Sequence, residues 1–486
     1  MILPRIDRNN GEPIYRQIMD SIIHHIDNGT LHPDDKLPAT RILGQRLGVD
    51  RSTIYVAYQE LISLGYLYSS PGSYTKVRNR KRIVSEQVVE NTGTIDWEEI
   101  CNDKSQELLD VMHQDISTGM SNGFVDLSSL ELDSRLYPVE DFRRSLNRVF
   151  NQQGAELLRY GSPYGYEPLR DYIANRMQIH EVKVSTDNIL ITNGAQQGLD
   201  LVMRCLSGKG VRIAAENPTY SHFLPMVKYY DVELVEIPMN EDGLDLDILE
   251  KEMKKEPISL LYTIPNFHNP TGITTPQEHR EKLLKLCEEN ETVIIEDGFE
   301  EEMKYFGKVV LPIKSMDENQ MVIYLGTFSK VLFPGIRMGW IACDTKLIDR
   351  LTSIKRFGDL SNNTLIQAGI TSFCRKGHYD SHVKRVHREF RKRMKFTLNE
   401  MDRELKGLAE WTTPDGGYTI WVTLNKEIEE DRLKELMEKH EIRVSAGNLY
   451  FASLEKSKHL RLSISRVEDD EIREGIKRLK RVLEEI

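Results

Sequence analysis

Apolar positions in the first eighty residues fall at helical spacing and then switch to a strand pattern. Ile14, Ile18, Ile22, Ile23 and Ile26 recur every three or four residues and stop at Asn28-Gly29, which predicts an amphipathic helix from Pro13. A second helix is expected from Pro38-Ala39-Thr40 through Leu43 to Leu47, where Gly48 ends it. A third runs from Arg51 through Leu61 and closes at Gly65, and Asp50 is placed to cap it through its side-chain oxygen. Tyr66-Leu67-Tyr68 and Tyr74-Thr75-Lys76-Val77 flank a turn at Ser70-Pro71-Gly72-Ser73, the pattern of a two-stranded hairpin. Helix, helix-turn-helix and hairpin in this order describe a winged helix module over residues 1–78.

The pattern weakens over residues 79–123, which read as a polar, acidic and partly helical linker. From Phe124 onward short apolar runs (Ile189-Leu190-Ile191, Val211 to Ala214, Leu260-Leu261-Tyr262, Val293-Ile294-Ile295, Met321 to Tyr324, Trp340-Ile341-Ala342) alternate with helical stretches such as Arg280 to Asn290. That alternation predicts an α/β domain over residues 124–486, built on a mostly parallel sheet covered by helices. Near the C-terminus a basic helix (Lys384 to Lys395), the strand Leu460 to Ile464 and a last helix (Ile472 to Ile486) follow.

Composition narrows the class. No window offers the ~20 uninterrupted apolar residues of a membrane span, and Met1 to Gly11 lacks a secretory pattern, so no membrane partner and a cytoplasmic location are expected. The five cysteines are widely separated and form no metal or redox pair; each reads as a small core residue and no metal site is expected. The net charge of −11 is uneven: residues 1–80 carry ten Lys/Arg against eight Asp/Glu, leaving −13 on the rest. That asymmetry permits DNA contact at the N-terminus and discourages it elsewhere.

The chemistry concentrates in Gly326-Thr327-Phe328-Ser329-Lys330 followed by Phe333-Pro334-Gly335-Ile336-Arg337. A lysine beyond a buried strand, among hydroxyls and with an arginine seven residues on, suits an imine to an aldehyde cofactor whose phosphate needs hydroxyl and guanidinium donors. Asp297 ends the apolar strand Val293-Ile294-Ile295, an unusual place for a carboxylate unless a cation such as a pyridinium nitrogen faces it. Asn269, in Asn266-Phe267-His268-Asn269-Pro270-Thr271-Gly272, is placed to donate to a ring hydroxyl, and Tyr220 to stack on the ring. Thr192-Asn193-Gly194-Ala195-Gln196 joins a strand to a helix, where small residues expose backbone N–H groups to phosphate.

In this order the five pieces resemble the fold-type I, class I pyridoxal-phosphate aminotransferases. The resemblance implies a fold-type I large domain with a smaller C-terminal α+β subdomain. It implies Lys330 as the Schiff-base (aldimine) lysine, Asp297 as the pyridinium partner and Asn269 as a ring-oxygen ligand, with Gly194, Ala195, Gln196, Thr327 and Arg337 around the phosphate. Arg461 matches the arginine that receives an amino-acid carboxylate, and Tyr160 the residue that reaches the partner subunit's phosphate in a homodimer. Where the regulator branch of the family carries tyrosine two residues after the aspartate, this chain has Phe299, which puts efficient transamination in doubt but not cofactor binding. Residues 12–78 resemble the GntR-type winged helix, and the whole chain resembles the MocR subfamily of transcription regulators. That implies contact of Arg51, Ser52, Thr53 and Tyr55 with the major groove of operator DNA, of Arg41 with a phosphate or base, and of the wing at Gly72 with the minor groove. The expected function is regulation of transcription by an amino acid, an amine or pyridoxal phosphate, sensed at Lys330. The alternative is an active class I aminotransferase moving an amino group between an amino acid and a 2-oxo acid.

Overall fold

The computed structural model describes residues 6–8, 11–70, 74–79, 95–105, 108–109, 123–299, 301–452 and 456–486. Its contacts divide the chain into two units, Met1–Ile100 and Cys101–Ile486.

In the first unit, helices α1 (Ile14–Asp27), α2 (Thr40–Leu47) and α3 (Arg51–Ser63) precede the paired strands β1 (Leu67–Tyr68) and β2 (Lys76–Val77). Each element forms where its pattern predicts. Ile18, Ile22, Leu43, Ile54, Leu61, Leu67 and Val77 bury into one small core, so the helical stripes and the hairpin serve the same apolar centre. Gly48 ends α2 in the left-handed region, at φ 62°. Asp50 caps α3 by accepting from the Ser52 N–H at 2.7 Å. The hairpin's turn at Pro71, Gly72 and Ser73, and most of the expected linker, lie outside the described residues.

The second unit is built on an eight-stranded sheet. In chain order its strands are β3 (Ile189–Thr192), β4 (Arg212–Asn217), β5 (Glu233–Asn240), β6 (Gly243–Leu244), β7 (Leu260–Thr263), β8 (Val293–Asp297), β9 (Val322–Thr327) and β10 (Gly339–Ala342). They lie in the order β3-β10-β9-β8-β7-β4-β5-β6. All run parallel except β10, antiparallel to both its neighbours, and β6, a hairpin return. Alternate residues of each strand face opposite sides: Ile213, Tyr262, Ile295 and Ile323 enter one apolar cluster, Ala214, Leu261, Ile294 and Val322 another. Both faces are therefore buried under helices, which is why these strands read as unbroken apolar runs. A four-stranded antiparallel sheet (Ala409–Trp411, Thr419–Glu429, Ser445–Ala446, Lys456–Ser463) and the helix Asp469–Glu484 form the C-terminal α+β part. No described helix is long and apolar enough to cross a membrane. Cys287, Cys343 and Cys374 are buried, Cys205 is half-buried and Cys101 exposed; no metal-ligating cluster occurs among the described residues.

Candidate functional site

A cavity of about 380 Å³ opens at the carboxyl ends of the parallel strands, where open α/β sheets bind their ligands. Its walls bring together Gly194, Ala195, Gln196, Tyr220, Asn269, Asp297, Thr327, Lys330 and Arg337, nine residues singled out from the sequence. Strand ends position most of them. Asp297 ends β8, Thr327 ends β9 with Lys330 three residues on, and Gly194 follows β3 as the N-cap of helix α4 (Ala195–Leu206).

Asp297 is 6% exposed and accepts from the Tyr262 hydroxyl at 2.9 Å through Oδ2. Burial pushes its carboxyl up to about 6, against the Tyr262 hydrogen bond and the positive charge of Lys330. Its second oxygen, Oδ1, has no hydrogen-bond partner among the described residues, and neither does the buried Ser329 Oγ. Buried polar atoms are seldom left so; on a cavity wall they mark where a ligand's cation and acceptor belong. Thr327 Oγ1 donates to the Met338 carbonyl at 3.1 Å. Gly194 holds φ +88°, and a Cβ there would stand 2.9 Å from Arg337 Nη2. Only glycine lets that guanidinium close on the backbone, and Arg337 Nη2 donates to the Asn193 carbonyl at 3.0 Å. A helix N-terminus, a guanidinium and the Ser329 hydroxyl thus border one end of the cavity, a donor set for a phosphate.

Lys330 Nζ donates to the Leu130 carbonyl at 3.3 Å. Arg461, 7% exposed, donates to Asn269 Oδ1 at 3.3 Å and to the Ser128 carbonyl. It borders a second space of about 810 Å³ that shares Lys330, Asn269, Tyr220 and Leu130 with the first. Tyr220 donates to Gln196 Oε1 at 3.2 Å. Phe299 is 8% exposed and lines the cavity with a side chain that has no polar atom to offer, while its backbone N–H faces the Asp297 carboxylate. Tyr160 lines neither space and is 86% exposed.

Sequence reasoning gave no role to Leu130, Ser128, Tyr262 or His222. Ser329 was visible in the lysine turn, and Tyr262 as a phenol ending an apolar run. Leu130 and Ser128 contribute main-chain carbonyls, which leave no trace in side-chain pattern.

In the first unit Arg41, Arg51, Ser52 and Tyr55 are exposed and Thr53 is half-buried, all but Arg41 in the first five positions of α3. Arg51 Nε donates to Thr40 Oγ1 at 3.4 Å, tying the start of α3 to the start of α2. Lys36 Nζ lies 4.8 Å from the centre of the Tyr74 ring, at the edge of the hairpin.

Residues 123–479 match the family of class I and II aminotransferases, and residues 14–77 the gntR family of bacterial regulatory proteins. The chain is 30% identical to the uncharacterized HTH-type transcriptional regulator YdfD of Bacillus subtilis, over all of this chain and 99% of that one. It is 35% identical to aromatic-amino-acid aminotransferase 1 of Thermococcus litoralis, over 72% of this chain and 85% of that one. The α-aminoadipate aminotransferase LysN of Thermus thermophilus, solved in complex with N-(5'-phosphopyridoxyl)-L-leucine, superposes with a TM-score of 0.75 and 28% identity, covering 80% of this chain and 99% of that one.

Proposed function

The chain belongs to the MocR type of gntR-family transcription regulators, a DNA-binding helix-turn-helix domain fused to a class I and II aminotransferase domain, and from that premise we propose that it senses an amine or amino acid through pyridoxal phosphate bound at Lys330. The observation that carries this reading is the meeting of Lys330 with the buried, half-unpartnered Asp297 carboxylate in a cavity whose other end is made for phosphate. When bound, the cofactor supplies an aldehyde that condenses with primary amines and a ring that draws electrons from them.

The residues of this chain have separable tasks. The Lys330 amine is the covalent anchor. Asp297 would pair with the cofactor's ring nitrogen and keep it protonated, Asn269 would donate to its ring oxygen, and Tyr220 would cover its ring face. Gly194, Ala195 and Gln196 at the start of α4, with Thr327, Ser329 and Arg337, take the phosphate. Arg461 receives the effector's carboxylate. Tyr160, exposed in one chain, reaches the phosphate end of a second copy, so the sensing form is a homodimer, a common state of this fold. The protein is cytoplasmic. An effector that competes with Lys330 binds one arrangement of the dimer better than another, and that difference is what changes operator affinity.

Spectra of the purified protein titrated with amines and amino acids, read alongside operator binding, test this directly. A colourless protein that takes up no pyridoxal phosphate overturns it. On the DNA side, Arg51→Ala is expected to weaken binding to a fragment selected by the wild type about tenfold and to lower the salt slope by about one. Fluorescence anisotropy at several salt concentrations measures both.

The 35% identity to a catalytic relative favours a second reading, a working aminotransferase; sustained turnover of an amino acid with a 2-oxo acid above ~1 s⁻¹ supports it. Phe299 weighs against it. With the cofactor bound at Lys330, a phenol at position 299 would donate to the ring oxygen and favour the unprotonated form of the lysine–cofactor linkage, which Phe299 cannot do. Phe299→Tyr is therefore expected to lower that linkage's pKa by about one unit, the worth of one hydrogen bond, read from absorbance against pH.

A further inference from the structure

Behind the phosphate end of the cavity lies a network of side chains to which none of these tasks is assigned. Asn193, the residue before Gly194, is held at four polar groups. Its N–H donates to Gln197 Oε1 at 2.7 Å, and its carbonyl accepts from Arg337 Nη2 at 3.0 Å. Its Nδ2 donates to Asp359 Oδ2 at 3.4 Å, and its Oδ1 accepts from Asn362 Nδ2 at 2.8 Å. Asp359, the last residue of the helix Thr345–Asp359, also accepts from Gln197 Nε2 at 3.3 Å. Its other oxygen accepts from Lys355 Nζ at 3.1 Å, and that lysine's side chain is 0% exposed. The ammonium donates further to the Pro163 carbonyl at 3.2 Å.

The arrangement has one hub. Asp359 joins the side chains of Asn193 and Gln197, which bracket Gly194 and Ala195, and neutralises a buried ammonium that has no other carboxylate within ion-pair distance among the described residues. Removing it leaves the side chain of Asn193 held by Asn362 alone and leaves the Lys355 charge buried and uncompensated. We propose that Asp359 is a positioning residue for the cofactor's phosphate. Through Asn193 it fixes the direction of the N–H groups at the start of α4 and the seat of Arg337, so the preference for a phosphate ester over the free alcohol depends on it. This rests on pyridoxal phosphate occupying the cavity.

The test compares uptake of pyridoxal phosphate with uptake of pyridoxal, which has the same ring and aldehyde but no phosphate, by absorbance titration of the full-length protein. Asp359→Ala and Asn193→Ala are expected to reduce the wild type's preference for the phosphate ester about tenfold and to leave affinity for pyridoxal within about twofold of wild type. Asp359→Asn, which keeps an acceptor but not the charge on Lys355, is expected to fall between. Equal losses for both ligands make Asp359 merely structural, and an unchanged preference removes it from phosphate binding; either result overturns the proposal. Should Asp359→Ala fail to fold, Asn362→Ala removes a single donor to Asn193 and must show the same selective loss, smaller in size. A wild type that takes up neither compound defeats the cofactor reading itself, a result visible before any variant is made.

Discussion

Replacing Lys330 with alanine is expected to abolish covalent attachment of pyridoxal phosphate completely. After borohydride reduction the wild-type chain gains the mass of one reduced cofactor, and the variant gains none. Lys330 is the only lysine on the wall of the 380 Å³ cavity among the described residues, and it is close enough to Asp297 for its charge to pull that carboxylate's pKa down. No second amine among the described residues lines that cavity. The phosphate-binding residues are untouched, so reversible uptake persists and separates loss of the bond from loss of the site. Operator affinity in the variant is expected to stop responding to amines. A reduced adduct of unchanged stoichiometry in Lys330→Ala refutes the assignment.

The second large effect concerns Asp297→Asn and has two opposing parts. Burial raises the Asp297 carboxyl from 3.8 to about 6 in the folded chain. Between those values the folded state keeps a proton that the unfolded state has released, so stability of the cofactor-free protein falls as pH rises through the window of about 4 to 6. Two units correspond to roughly 3 kcal/mol of strain at neutral pH, though Tyr262 and Lys330 already face the group. Asparagine has no charge to bury and keeps an acceptor for Tyr262. The cofactor-free variant should therefore melt above wild type at pH 7.5 and level with it near pH 4. Affinity for pyridoxal phosphate should move the other way, falling by about a hundredfold as the charged partner of the ring nitrogen is lost. Glu216 and Glu296 are also pushed up to about 7 by burial, and the Asp297 charge adds to the rise at Glu216, so the difference between variant and wild type reports Asp297 together with its relief of Glu216. A variant less stable than wild type at both pH values contradicts the account.

Much of this architecture is written locally. The isoleucine spacing of α1, the Gly48 stop, the Asp50 cap and the apolar strand runs are contacts between residues a few positions apart, and pattern finds such contacts. Lys330 and Asp297 were legible because each carries a polar group at or just beyond the end of an apolar strand, and Asn269 because it stands in an Asn-Pro-Thr-Gly turn. What pattern missed is non-local. The reversal of β10 depends on how the chain returns across the sheet, and an antiparallel strand buried on both faces has the same apolar signature as a parallel one. Asp359 meets Asn193 across 166 positions, and on its own helix it reads as an ordinary acidic residue near a C-terminus. Tyr160 is a different case: its expected partner is another molecule, so a single chain leaves it in solvent.

The Lys330–Leu130 and Arg461–Ser128 bonds span 200 and 333 positions, which bears on the order of events during synthesis. Chains emerge from the ribosome N-terminus first, and units with local contacts fold as they appear. The described core of the winged helix is made of residues between Ile6 and Val77. The space that Arg461 borders is not closed until the strand Lys456–Ser463 has been made, long after the winged helix has emerged. A stop before the strand Lys456–Ser463 would therefore leave the helix-turn-helix whole and remove Arg461 from the space it borders, and under the proposed function such a chain would still grip DNA but be deaf to its effector.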